Sequence, residues 1–288
     1  MAVKFFGQFL VEQGIVTSDA LLNAINLQDK NNLKFGEVAV AMGLVTPAEI
    51  QRAHNAQMSK DMKLGDLLVE MGFLTLVQMN DIITRQKNTH LYIGEALVQV
   101  GALTSETLQK HLDSFKADQA EYVSNAIELP VTSANGKIWE TTADLTYKMI
   151  TRVLGLRFRP GKCTLATTIP PGFMLAAMDM VGDVEARYII SVSYGLQKTI
   201  AKAILGEESV DDEPIEVLED TVMEFVNVVC GNVAAKASQM GVIINIEPPV
   251  TLHPPAAGLP IPEGYTALCF PIHIEDGDTM ELHLLIKE

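Results

Sequence analysis

The chain has 288 residues, enough for two domains that each bury a core, and at 48% hydrophobic and 20% charged its composition is that of a globular protein. Its 21 basic and 36 acidic side chains leave a formal net charge of −15, which speaks against a phosphate-tracking nucleic-acid surface and against an anionic membrane as partners. The opening MAVKFFGQFLVEQG breaks its apolar run at Gln8, and no later run reaches the roughly 18 apolar residues of a membrane span, so neither a signal-peptide core nor membrane insertion is expected.

Residues 1–118 read as a four-fold repeat with a period of 29 residues: Gly7, Gly36, Gly65 and Gly94 keep that spacing, as do Gly14, Gly43, Gly72 and Gly101, and Thr17, Thr46, Thr75 and Thr104. Each unit predicts a short helix such as LGDLLVEM, stopped by the second glycine, and then a second helix capped by the threonine. Thr46-Pro47-Ala48-Glu49 has proline at the first helical position and glutamate at the third, and Thr75 is followed by Gln78 in the capping-box position. The second helices close on Gln28, Gln57 and Gln86, and on Phe115 in the last unit. Two short helices cannot bury their apolar faces alone, so the units must pack on one another into an all-α module.

This tandem pattern of glycines, paired leucines and a closing glutamine resembles the MshEN domain, the N-terminal module of type II secretion and type IV pilus ATPases. The resemblance implies a module that can bind cyclic di-GMP through an arginine opening the motif, its neighbour and the closing glutamine. The opening position here is Phe5, Lys34, Lys63 and Tyr92, followed by Phe6, Phe35, Leu64 and Ile93, so arginine is absent from all four units. Lysine keeps the charge but not the planar stacking of arginine. The resemblance therefore points to Lys34 with Gln57 and Lys63 with Gln86 as the cyclic di-GMP contacts, or otherwise to a helical adaptor. His54, at an apolar position of the second unit, reads as a half-exposed histidine.

Residues 119–123 read as a linker and 124–288 as a mixed α/β domain with a largely antiparallel sheet. A helix is predicted over 137–154, with Trp139 in the core, followed by strands over 163–169 and 173–180 and a hairpin partner over 184–193. A helix over 196–205 stops at Gly206. Eight of the fourteen residues from Glu207 to Asp220 are acidic, matching no EF-hand spacing, and suit a solvated loop entering a helix N-terminus. Further strands are expected over 242–246, 265–273 and 279–288, with a proline-rich loop from His253 to Pro262 between the first two. In the last strand Met280, Leu282, Leu284 and Ile286 alternate with Glu281, His283 and Lys287, and this strand is a candidate pairing edge.

The helix predicted over 214–240 carries Asp220, Glu224 and Asn227 at spacings of four and three, which at about 100° per residue share one side. Gly231 and Ser238 continue that stripe, with Ala234 and Ala235 along its edges, while Phe225, Val229 and their neighbours form the core face. A carboxylate beside an amide, followed by small side chains, describes a surface that another protein backbone can approach. The plain alternative is the solvated face that any amphipathic helix needs. No phosphate loop, nucleophile elbow or dinucleotide fingerprint occurs, and no two of the six histidines have metal-ligand spacing, so no metal site is expected. Cys163, Cys230 and Cys269 are odd in number, far apart and set among apolar residues, which reads as buried reduced thiols in a cytoplasmic protein.

The stretches VLGLRFRPGK, YIISVSYGLQKTIAKAILGEESVDDE and LEDTVMEFVNVVCGN resemble the CheX branch of the CheC/CheX/FliY chemotaxis phosphatases over most of 124–288. That family's signature is Asp or Ser, three residues, Glu, two residues, Asn, and a later proline. Asp220, Glu224 and Asn227 fit it once, with Pro248 or Pro249 at about the right distance. The resemblance implies a phosphatase of the aspartyl phosphate on a CheY-like response-regulator receiver, which brings its own Mg²⁺ and lysine. Asn227 would orient the attacking water, Glu224 would pair with the receiver's lysine, and Asp220 would support the face. It also implies a dimer through the sheet. The alternative is a non-catalytic adaptor or a cyclic di-GMP effector in pilus, secretion or motility signalling.

Overall fold

The computed structural model describes residues 3–122, 127–275 and 277–287. Two compact units result, one of residues 1–57 with 62–123 and one of residues 58–61 with 124–288. The expected linker at 119–123 is a 3-10 turn over Ala120–Tyr122, and residues 123–126, on which the expected boundary falls, lie outside the described residues.

The first unit is helical. Short helices α1 (Phe6–Glu12), α3 (Phe35–Ala41), α5 (Leu64–Glu70) and α7 (Ile93–Gln99) alternate with longer helices. These are α2 (Ser18–Asn31), α4 (Pro47–Gln57), α6 (Leu76–Thr89) and α8 (Ser105–Asp118). Each short helix is stopped by a glycine in the left-handed region, Gly14, Gly43, Gly72 and Gly101 at φ of 66, 67, 75 and 77°. The longer helices start on threonine hydroxyls: the backbone N–H of Ala20 donates to Thr17 Oγ1 at 3.2 Å and that of Gln78 to Thr75 Oγ1 at 3.2 Å.

The helices pack as two four-helix groups rather than in a row. Phe6, Leu10 and Ala24 from α1 and α2 share one apolar cluster with Ala96 and Leu97 of α7, while Val38, Ala39 and Ala53 share another with Leu67, Leu68 and Ile82. The segments joining the groups meet at Asn32, which donates to Leu91 O at 2.8 Å and accepts from Leu91 N at 2.7 Å. Phe115 of α8 fills the first cluster, its ring centroid 5.3 Å from that of Phe6 and 5.5 Å from that of Phe9.

The second unit is an antiparallel sheet with helices on one face. Strands β1 (Phe158–Pro160), β9 (Tyr265–Ile274), β10 (Thr279–Lys287), β5 (Glu185–Val192), β4 (Met174–Gly182) and β6 (Ile244–Ile246) follow one another across it. β2 (Thr164–Ala166) adds to β9 beyond β1, and β7 (Val250–Leu252) adds to β4 beyond β6. Helices α9 (Gly136–Arg152), α10 (Tyr194–Leu205) and α11 (Ile215–Gln239) bury their apolar sides against Met178, Tyr188, Phe270, Leu282 and their neighbours. Trp139, Tyr188, Phe225 and Phe270 are fully buried there, each contributing on the order of 2–3 kcal/mol of hydrophobic stabilisation.

Two expectations are corrected. The C-terminal strand β10 is interior, bonded to β9 on one side and β5 on the other from Glu281 to Lys287, so it offers no pairing edge for a homodimer; Glu288 lies outside the described residues. The edges belong to β1 with β2 and to β6 with β7. The second face of the sheet is covered by the segment from His253 to Pro262, which reads in the sequence as a loop. A small sheet of β3 (Thr168–Ile169) and β8 (Leu259–Pro260) lies in an apolar cluster with Leu175, Ala177, Ile189 and Leu285, and His283 is only 1% exposed. Strict alternation marks two faces of a strand, but what covers the second face comes from the proline-rich segment that reads as a loop.

Candidate functional site

Helix α11 brings the stripe to the surface as its spacing requires. Leu218, Val222, Phe225, Val226, Val229 and Val233 are buried on its inner side, and Asp220, Glu224 and Asn227 are exposed on the other. Asn227 Nδ2 donates to Glu224 Oε2 at 3.5 Å, the long limit of a hydrogen bond, so the amide is held loosely. One turn further on, a Cβ at Gly231 would meet nothing within 4 Å, and Ala235 and Ser238 are exposed. The small-residue flank is therefore open.

These three side chains line an open groove of about 520 Å³ whose other wall includes Glu247, Pro248 and Pro249. The two prolines lack N–H groups, so the ladder against β4 breaks between β6 and β7 and the chain bends out toward α11. The bend is anchored at its start, where Glu247 N donates to Asp179 O at 3.0 Å. Asp179 in turn accepts both arms of the Arg187 fork at 2.6 Å each, a pairing that raises the already high pKa of the guanidinium. Asp220, Glu224 and Glu247 give the groove three carboxylates, and none of its lining side chains is cationic. Such a groove repels a bare phosphate and favours a partner that presents cations.

In the helical unit the predicted glutamines are structural crosspieces. Gln57 is buried and donates to Met62 O at 3.0 Å, with its oxygen 3.2 Å from His54 Nδ1; Gln86 donates to Leu33 O at 3.0 Å, and Gln28 to Leu91 O at 3.0 Å. Each amide thus satisfies the carbonyl just before the opening residue of another short helix. Gln57 lies beside the segment of Lys63 and Gln86 beside that of Lys34, the reverse of the pairing along the sequence. Both lysines are exposed, each at the N-terminus of its short helix, α3 or α5. His54 is exposed, and its pKa is lowered first by desolvation.

One cluster escaped the sequence reading. Cys269 Sγ, a Glu281 carboxylate oxygen and a His283 nitrogen lie within 4.8 Å of one another on the second face of the sheet. No local spacing announces it, because Cys269 and His283 meet only through the β9–β10 register. Burial pushes the thiols of Cys163 and Cys269 up to about 12, and that of Cys230 above its usual range.

Residues 174–273 match the family described as Chemotaxis phosphatase CheX, so the α/β unit carries a CheX domain. No curated protein sequence matches the chain. Among solved structures, the chain is similar to the chemotaxis protein CheX of Desulfovibrio desulfuricans, at 16% identity over 52% of this chain and 99% of that one, with a TM-score of 0.46. It is also similar to the CheX of a CheX–CheY–BeF3–Mg²⁺ complex from Borrelia burgdorferi, at 22% identity over 52% and 98%, TM-score 0.46. A third is a chemotactic CheC-like protein of Shewanella oneidensis, at 19% identity over 53% and 99%, TM-score 0.45. Among the described residues, no helix is long and apolar enough to cross a membrane.

Proposed function

We propose that the CheX domain is a phosphatase acting on the aspartyl phosphate of a CheY-like receiver, with Asn227 and Glu224 as its working residues. The observation that carries this reading is the co-location of Asp220, Glu224 and Asn227 in one exposed groove, within a domain that matches the CheX family. The acidic groove fits the division of labour: the receiver supplies the phosphoryl group, Mg²⁺ and a lysine, and this chain supplies few groups of its own. In-line hydrolysis then needs a water held opposite the leaving carboxylate, and the exposed Asn227 amide has both a donor and an acceptor for that task. Glu224 pairs with the incoming lysine, and Asp220 adds to the cation-attracting field from one turn away. In this reading the helical unit is regulatory: four 29-residue helix pairs of MshEN type, with cyclic di-GMP engaging the exposed Lys34 and Lys63, while the amides of Gln57 and Gln86 stay bonded to the backbone.

The test is phosphate release from Mg²⁺-loaded, phosphorylated receivers, with wild-type protein and with Asn227→Ala. The variant removes one weak contact from an exposed face, so its stability should stay within about 0.5 kcal/mol of wild type. Its acceleration should fall by about 10²-fold or more, the usual cost of losing a positioning group. Undiminished acceleration by a folded variant removes Asn227 from the mechanism, and no acceleration of any receiver by the wild type leaves the adaptor reading.

A further inference from the structure

The Cys269, Glu281 and His283 cluster lies on the sheet face opposite α11, where it plays no part in the groove. Its geometry comes from the most constrained part of the fold. Cys269 and His283 are direct partners across the antiparallel β9–β10 pair, and Glu281 is two residues along β10 on the same face. β10 is bonded on both sides, so none of the three rides on a mobile loop. The three ligand atoms, one sulfur, one oxygen and one nitrogen, fall within 4.8 Å of one another, and the Glu281 to His283 contact is 3.1 Å. Neighbouring ligands on a tetrahedral zinc ion are about 3.3–3.8 Å apart. Side-chain adjustments of about 1 Å therefore close the set around a cation.

The histidine is unusual for a purely structural residue. It is 1% exposed, and among the described residues it makes a single polar contact, to Glu281, and its Nδ1 has no hydrogen-bond partner. A buried imidazole that serves packing alone ordinarily satisfies its polar atoms. Glu281 and Cys269 are both partly exposed, so the cluster is buried at the histidine and open at the other two ligands. That leaves a route in and a coordination position for water.

We propose that Cys269, Glu281 and His283 bind a divalent transition-metal ion, with zinc the best match. The thiolate and imidazole select against Mg²⁺ and Ca²⁺, which prefer all-oxygen sites, and a mixed sulfur, nitrogen and oxygen triad with an open position matches zinc's range of ligands. His273 lies on the same face of β9, two residues beyond Pro271, and is the nearest further nitrogen ligand by register. This site is independent of the phosphatase reading, since the Mg²⁺ of that reaction belongs to the receiver and no residue is shared with the groove.

The test uses the full chain, stripped with a chelator and titrated with Co²⁺ as a spectroscopic stand-in. One equivalent should produce a thiolate-to-metal charge-transfer band and the intense d–d bands of a four-coordinate ion, and one equivalent of Zn²⁺ should abolish both. Cys269→Ser should remove the charge-transfer band. Glu281→Gln should weaken binding beyond the 10–100-fold typical of losing an outer-shell partner. Far-UV circular dichroism identifies any variant that fails to fold, in which case protection of Cys269 from alkylation by Zn²⁺ in the wild type carries the test. A folded wild type with no charge-transfer band at stoichiometric Co²⁺ overturns the proposal. So does a band that survives Cys269→Ser.

Discussion

Gly231 separates folding from docking in one position. It sits inside α11 one turn past Asn227, and a Cβ built there meets no atom within 4 Å. A glycine in a helix interior costs about 0.8–1.0 kcal/mol relative to alanine, so Gly231→Ala should stabilise the protein by that amount. For a unit of this size that raises the melting temperature by about 2–4 °C. Gly231→Leu keeps nearly all of this gain, because leucine is almost as good a helix former. It also raises a large side chain on the flank where a receiver backbone is expected to approach. Thermal denaturation followed by circular dichroism, alongside phosphate release at subsaturating receiver, should therefore move in opposite directions for Gly231→Leu: higher melting temperature, lower kcat/KM, with kcat at saturation least affected. Gly231→Ala should be stabilised with a smaller loss. Destabilisation by alanine would refute the open environment of this helix turn. A stabilised leucine variant with unchanged kcat/KM would show that the receiver does not dock over the small-residue flank.

Three further outcomes are expected. Gln28→Ala should cost about 0.5–1.5 kcal/mol, because the Leu91 carbonyl at the joint between the two helical groups loses one of its two amide donors and keeps that of Asn32; chemical denaturation of the full chain measures it, and a neutral result would mean that the Asn32 bond alone suffices. Cyclic di-GMP at 100 times its Kd should stabilise the folded protein by about 2.7 kcal/mol if it binds the helical unit, and a flat thermal-shift series at high ligand would remove that ligand from the reading. Glu281 is held below its ordinary pKa, first by its hydrogen bond to His283, so its contribution is present above the ordinary carboxylate range and is lost as pH falls through the lowered value. The stability difference between wild type and Glu281→Gln should accordingly shrink on acidification; a difference constant with pH would remove the carboxylate's charge as its source.

Local physics made most of the elements legible. The left-handed glycines and threonine caps act within a few residues of themselves, so the helices of the first unit begin and end where their spacing predicts. Likewise the periodicity of α11 places Asp220, Glu224 and Asn227 outward and Phe225 and Val229 inward without knowledge of the partner surface. Strands β1, β7 and β8 escaped detection because two or three residues are too few to show a period of two.

Everything that depends on which distant segments meet was decided by tertiary structure. The pairing of α1 and α2 with α7 and α8, the crosswise use of Gln57 and Gln86, and the interior place of β10 all require choosing among chain closures that local propensity does not distinguish. The groove needed the Pro248–Pro249 bend as well as the helix. The Cys269, Glu281 and His283 cluster needed one strand register in particular, since a slip of one residue between β9 and β10 would put Cys269 on the face opposite Glu281 and His283. Sequence by itself determined which side chains share a face of one element; tertiary structure decided which faces meet, because that choice is made by burying apolar surface between segments far apart in the chain.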